Sequence, residues 1–102
     1  MKLPTIIVNF KTYESATGDK ALDLAKIHAQ IANETGHSFA VCVQPTDLAK
    51  IAVEVDIPVF AQHIDPVGYG SNTGHILPEA VKAAGAFGTL LNHAEHQSHS
   101  KY

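Results

Sequence analysis

The chain has 102 residues, 45% of them hydrophobic and 17% charged, and a net charge of −3 with histidine neutral. That is enough for one small globular domain with a modest core, and it excludes a disordered chain. No basic run offers a nucleic-acid surface, no apolar stretch approaches the ~20 residues of a membrane span, and no signal-peptide pattern opens the chain.

Residues 5–8, Thr-Ile-Ile-Val, read as a short strand buried on both faces, as in a parallel sheet. Asn9 and Lys11 follow at its carboxyl end. If extended geometry persists that far, strand alternation aims both side chains at the same side of the sheet. Ligands of open α/β sheets and barrels sit beyond the carboxyl ends of the strands, so an amide and a cation there suggest the floor of an anion site. The polar connection 12–18 offers Ser15 or Thr17 as a helix cap. Residues 19–35 then carry Leu24, Ile27 and Ile31 at helical spacing, filled in by Ala21, Ala25 and Ala32, and Gly36 stops the helix.

A second buried strand is expected over 38–43. It contains Cys42, the single cysteine, which suits a buried free thiol in a cytoplasmic protein. Pro45 opens a short helix with Leu48 and Ile51 three apart and Asp47 at its positive end. Residues 57–61 form the third strand, followed at once by Gln62, His63 and Asp65. A long loop with Gly68, Gly70 and Gly74 leads to a third helix that starts at Pro78 and Glu79 and ends at Gly85. The fourth strand, 87–91, delivers Asn92, His93 and Glu95.

The order is βαβαβαβ, and each crossover is long enough to return parallel, with right-handed connections. Polar residues stand after every strand, which describes one shared ligand face. Lys11 supplies positive charge there, Asn9 an amide donor, His93 an imidazole, and Glu95 a carboxylate to orient one of them. That set suits a developing oxyanion on a small anionic substrate. His63 and His75 read as loop histidines bonded to backbone. The glycine loop fits neither the dinucleotide fingerprint nor the P-loop and reads as a protruding, interface-type loop. His93, His96 and His99 recur at intervals of three without a structural frame for zinc, so no metal site is expected.

Asn9-Phe10-Lys11 after the first strand, Ala61-Gln62-His63 after the third, Thr73-Gly74-His75 in the loop and Asn92-His93-Ala94-Glu95 after the fourth together resemble triose-phosphate isomerase, in its compact archaeal branch. The resemblance implies the first half of a (β/α)8 TIM barrel over residues 1–95, with 96–102 a polar tail. It implies interconversion of dihydroxyacetone phosphate and glyceraldehyde 3-phosphate by enediolate chemistry, without a cofactor. On that resemblance Asn9 and Lys11 contact substrate, and His93 is the neutral electrophile that polarises the carbonyl, a role taken over from the family. Glu95 is then a partner behind His93, and Thr73 reaches across an oligomer interface to steady a neighbour's Asn9 and Lys11.

A complete barrel takes roughly 250 residues. The family's catalytic glutamate, its lid and its late phosphate-binding loops belong beyond the fourth strand. The expectation is therefore a chain inactive alone, associating with itself or with a carboxyl-terminal half. Ala94 stands where the family commonly has serine. The alternatives are a small doubly wound α/β module holding phosphate without chemistry, and a non-catalytic interaction fragment.

Overall fold

The computed structural model describes residues 4–90. Four strands, β1 (Thr5–Asn9), β2 (Ser38–Val43), β3 (Val59–Ala61) and β4 (Gly88–Thr89), form one parallel sheet in the order β1-β2-β3-β4. Helices α1 (Asp19–Thr35), α2 (Pro45–Glu54) and α3 (Pro78–Ala83) connect them, with a single 3-10 turn at Glu14–Ala16. The first two expected helices and the second strand fall where the periodicity puts them. Strands three and four are shorter than expected, and Leu91 lies outside the described residues.

Register and alternation fix what each face does. Val8, Val41 and Val59 stand in one row, and Val43 pairs with Ala61. These residues join Ala21 and Ala25 of α1 and Leu48 and Ile51 of α2 in the core, against which Val81 and Ala84 from the α3 segment also pack. All three helices therefore lie on one face of the sheet. The opposite face carries the intervening row Asn9, Cys42, Phe60 and Gly88. A doubly wound module reverses its strand order and covers both faces with helices. The described strands run in sequence order with helices on one face, which is the wall of a (β/α)8 TIM barrel.

Helix ends follow local chemistry. Gly36 takes the left-handed conformation (φ 76°) past α1, and its N–H donates to Ala32 O. Gly85 (φ 103°) closes the α3 segment, where an added Cβ would come within 2.9 Å of Ala52 Cβ. The expected cap of α1 by Ser15 or Thr17 is not made. Gly18 occupies the cap position and donates its N–H to Asp47 Oδ2 of α2 at 3.1 Å, while the Thr17 hydroxyl donates to Tyr13 O. That bond ties the start of α1 to α2, while no side chain caps α1 itself.

Two burial expectations fail. Ile6 and Ile7 of β1 are 54% and 45% exposed, and Ile27 and Ile31 of α1 are also exposed. The helix buries its small residues, Ala21 and Ala25, and turns the larger ones outward. Among the described residues β1 has a strand neighbour on only one side and helices over one face, so Ile6 and the adjoining flank of α1 lie at the sheet's margin and Ile7, in the row of Asn9, lies on the helix-free face.

Candidate functional site

A cavity of about 600 Å³ opens beyond the carboxyl ends of β1, β2 and β3. Asn9, Lys11, Gln44, Gln62, His63, Asp65, Thr73 and His75 line it. Each strand contributes through the segment that follows it, as the shared-face expectation requires. Asn9, Lys11 and Thr73, the described site residues expected from sequence, all reach this cavity. His93 and Glu95 lie outside the described residues, as do His96 and His99.

Asn9 and Lys11 arrive there by a different route from simple alternation. β1 ends at Asn9, and Lys11 adopts φ 50°, the left-handed region that a side chain makes costly by roughly 1–2 kcal/mol. Between them Phe10 is buried in the core and donates its N–H to Cys42 O at 2.9 Å. That anchor fixes the backbone just before the turn. Asn9 Oδ1 then accepts the Lys11 N–H at 2.9 Å, and Gln62 Nε2 donates to Lys11 O at 2.9 Å. The Lys11 peptide groups are thus held on both sides by side-chain amides. Strain of this kind persists only where neighbours over-determine it.

Gln62 is the functional residue whose role sequence reasoning missed. It stood out as one of several polar residues after a strand and within the Ala61-Gln62-His63 motif, with no role assigned to it. Its nitrogen lies 2.9 Å from Lys11 O, 3.4 Å from Cys42 O and 3.5 Å from Asn9 Oδ1, so it ties the ends of β1 and β2 together from β3. A glutamine directly after a strand, in a parallel sheet whose first strand ends in a cation, was the available signal. Gln44, after β2, instead donates to Thr17 Oγ1 at 2.8 Å and braces the entrance to α1.

The far side of the cavity is built by His63, Asp65 and the loop. His63 Nε2 and Asp65 Oδ1 are 2.8 Å apart, both side chains being largely buried. A side-chain pair was not part of the sequence reading of His63. The Ile76 N–H, and then His63 and His75, hold the Asp65 carboxyl below its ordinary pKa, against partial burial that pushes it up. Behind the site, burial pushes the Cys42 thiol up to about 11, so it is an unreactive thiol. No group of three or more metal-ligating side chains converges among the described residues.

Lys11 brings a fixed positive charge to a recess framed by amides and hydroxyls. That arrangement can hold an anion while the surrounding donors orient it. Among the described residues no helix is long and apolar enough to cross a membrane.

Comparison with known proteins gives consistent results. The family described as Triosephosphate isomerase matches residues 4–101. A triosephosphate isomerase of Methanobacterium bryantii is 55% identical over 92 residues, 90% of this chain and 41% of that protein. One from Saccharolobus solfataricus is 48% identical over 95 residues, 93% of this chain and 42% of the relative. Among solved structures, triosephosphate isomerase from Bartonella henselae superposes with a TM-score of 0.72 at 28% identity, over 90% of this chain and 38% of that one. The chain spans about two fifths of the length of the relatives it matches.

Proposed function

The chain belongs to the triosephosphate isomerase family, and from that premise we propose that it carries the substrate-holding part of a site interconverting dihydroxyacetone phosphate and glyceraldehyde 3-phosphate. The observation that carries this reading is the convergence of Asn9, Lys11, Gln62 and Thr73 on one cavity at the carboxyl ends of a parallel sheet. Lys11 offsets the charge of the phosphate and of the enediolate that forms when a proton leaves the carbon beside the carbonyl. Asn9 Oδ1 accepts the Lys11 N–H, and in this reading the Asn9 amide N–H groups face the substrate oxygen. Donors already fixed in place need no rearrangement as that charge develops, which is the source of their catalytic effect.

In this reading His93 polarises the carbonyl and Glu95 orients His93. Asp65, the carboxylate on the cavity wall, is already engaged by the Ile76 N–H and His63, so this reading leaves the base to the family's later strands, and a positioned acid–base group typically contributes ~10²–10⁴-fold. The 102-residue chain by itself is accordingly inactive. Thr73 serves an oligomer interface, and the chain's partner is a second copy or a carboxyl-terminal half-barrel. A buried free Cys42 fits a cytoplasmic location.

The test mixes the chain with the carboxyl-terminal segment of the Methanobacterium bryantii relative and follows isomerisation in a coupled assay. Turnover is expected from the mixture, none from the chain alone, and none from a mixture containing Lys11→Met. Robust turnover by the chain alone that Glu95→Gln abolishes would make Glu95 the base. Near-normal turnover in the Lys11→Met mixture would reduce Lys11 to a surface lysine.

A further inference from the structure

Residues 66–75 leave the sheet after Asp65 and return beside their own starting point at Ile76. Residues 68–75 are exposed apart from a half-buried Asn72, so this ring encloses no core of its own. Its internal bonds are local, such as Asn72 N–H to Gly70 O at 3.0 Å and His75 N–H to Asn72 O at 2.9 Å. What closes it lies at the neck. The Asp65 N–H donates to Ile76 O at 2.9 Å, and the Ile76 N–H donates to Asp65 Oδ2 at 2.6 Å. The second carboxylate oxygen, Oδ1, is held 2.8 Å from His63 Nε2, at the end of β3.

One side chain thus joins three points: the strand end, the start of the loop and its return. Compact loops of this length are defined by such closely spaced ends. Hydrogen bonds to an ionised carboxylate are about twice as strong as neutral ones, and this carboxylate is only 21% exposed. We infer that Asp65 is a positioning residue whose carboxylate clasps the 66–75 ring shut and so fixes Thr73, Gly74 and His75 as a wall of the cavity that Lys11 shares. The depressed pKa of Asp65 agrees with this, since its largest cause is the Ile76 N–H at the neck itself. The clasp goes beyond the proposed activity. It acts on the loop whether or not the cavity takes a triose phosphate.

Hydrogen–deuterium exchange read by mass spectrometry, with limited proteolysis, tests it on the 102-residue chain. In the unaltered chain the peptide covering 62–77 should retain slow exchange at the neck, and residues 66–75 should resist cleavage. Asp65→Ala should speed exchange in that peptide on the order of tenfold or more and open the loop to protease, with β2 unchanged. Asp65→Asn keeps one oxygen for the Ile76 N–H and should recover much of the protection, as a merely bulky or charged spacer would not. His63→Ala removes one arm only and should fall between the unaltered chain and Asp65→Ala. If Asp65→Ala fails to fold, His63→Ala and Asp65→Asn carry the same ranking against the unaltered chain. Equal acceleration of β2 and the loop in any folded variant would make Asp65 a general stabiliser and overturn the clasp, as would a neck that already exchanges as fast as Tyr69 in the unaltered chain.

Discussion

β1 and β2 are written in nearly the same alphabet, Thr-Ile-Ile-Val-Asn against Ser-Phe-Ala-Val-Cys-Val, and they lie side by side in register. The structure nevertheless treats them oppositely. From Ala40 to Val43 β2 is wholly buried, whereas β1 leaves both isoleucines exposed and is followed, two residues past its end, by a strained lysine. Burial therefore belongs to a strand's neighbours more than to its residues. β2 has strands on both sides and two helices over one face. The contrast also separates labour: β2 sits in the core, and the end of β1 opens onto the cavity.

The largest effect should come from placing a charge in each strand. Val41→Asp would bury a carboxylate with no partner, at a cost of several kcal/mol, and should leave the chain unfolded by circular dichroism. Ile7→Asp, half-exposed on the helix-free face of β1, should remain folded. If both variants unfold alike, the contrast between the strands is wrong. A milder pair separates packing from charge. Val41→Ala should lower stability by about 2 kcal/mol in denaturant titrations, from two lost methyl groups and the gap they leave. Ile6→Ala should cost well under half of that.

The exposed side of the comparison makes its own prediction. Ile6, Ile7, Ile27 and Ile31 leave apolar surface on and beside β1, the strand at the sheet's edge among the described residues, a combination that favours association. The 102-residue chain should elute as an oligomer or as a loosely packed, dye-binding species in size-exclusion chromatography with light scattering. The pair Ile6→Lys and Ile7→Lys should shift it toward monomer. A sharp monomer peak from the unaltered chain, with cooperative unfolding, would show that this edge is tolerated as it stands.

Acid should act on the loop side of the cavity before the sheet. The folded pKa of Asp65 is lowered, so its contribution to stability is fully present above the ordinary carboxyl value of about 3.9 and fades as pH falls through the lower folded value. His63 and His75 face it and cannot replace its oxygens as acceptors for the Ile76 N–H. Protection at 62–77 should therefore persist at pH 5, begin to weaken only below about pH 4, and disappear at the still lower pH where the folded carboxyl takes up its proton. Loss already complete at pH 5 would assign the change to another group.

What could be read from sequence tracks how local its cause is. Gly36 ends α1 and Pro45 opens α2 because each residue determines its own backbone, so both were legible. The parallel order followed from four apolar runs separated by helix-length crossovers. The exposed face of α1 was not legible, because Ile27 and Ile31 have the spacing of a buried face and only the one-sided sheet leaves them bare. At the site, Asn9, Lys11 and Thr73 could be picked out as motif residues. The grip of Gln62 on Lys11 could not, since it joins residues 51 apart through a backbone conformation that no sequence pattern shows.

The smallest predicted effect is also the sharpest test of how the two strand ends differ. After β2, Gln44 sits in relaxed extended backbone (φ −65°, ψ 149°), whereas Lys11 after β1 sits at φ 50°. Glycine has no Cβ to clash in that region, so Lys11→Gly should relieve the strain and stabilise the fold by up to about 1 kcal/mol, part of the gain being offset by glycine's greater freedom when unfolded. The same change removes the cation, and anion binding at the cavity should disappear. Gln44→Gly, where no strain exists, should only destabilise. Opposite signs at two neighbouring strand ends, read as shifts in the denaturant midpoint, would show that the fold gives up stability at Lys11 to hold a charge there. Destabilisation in both variants would mean that Asn9 and Gln62 have already made the left-handed turn comfortable for lysine.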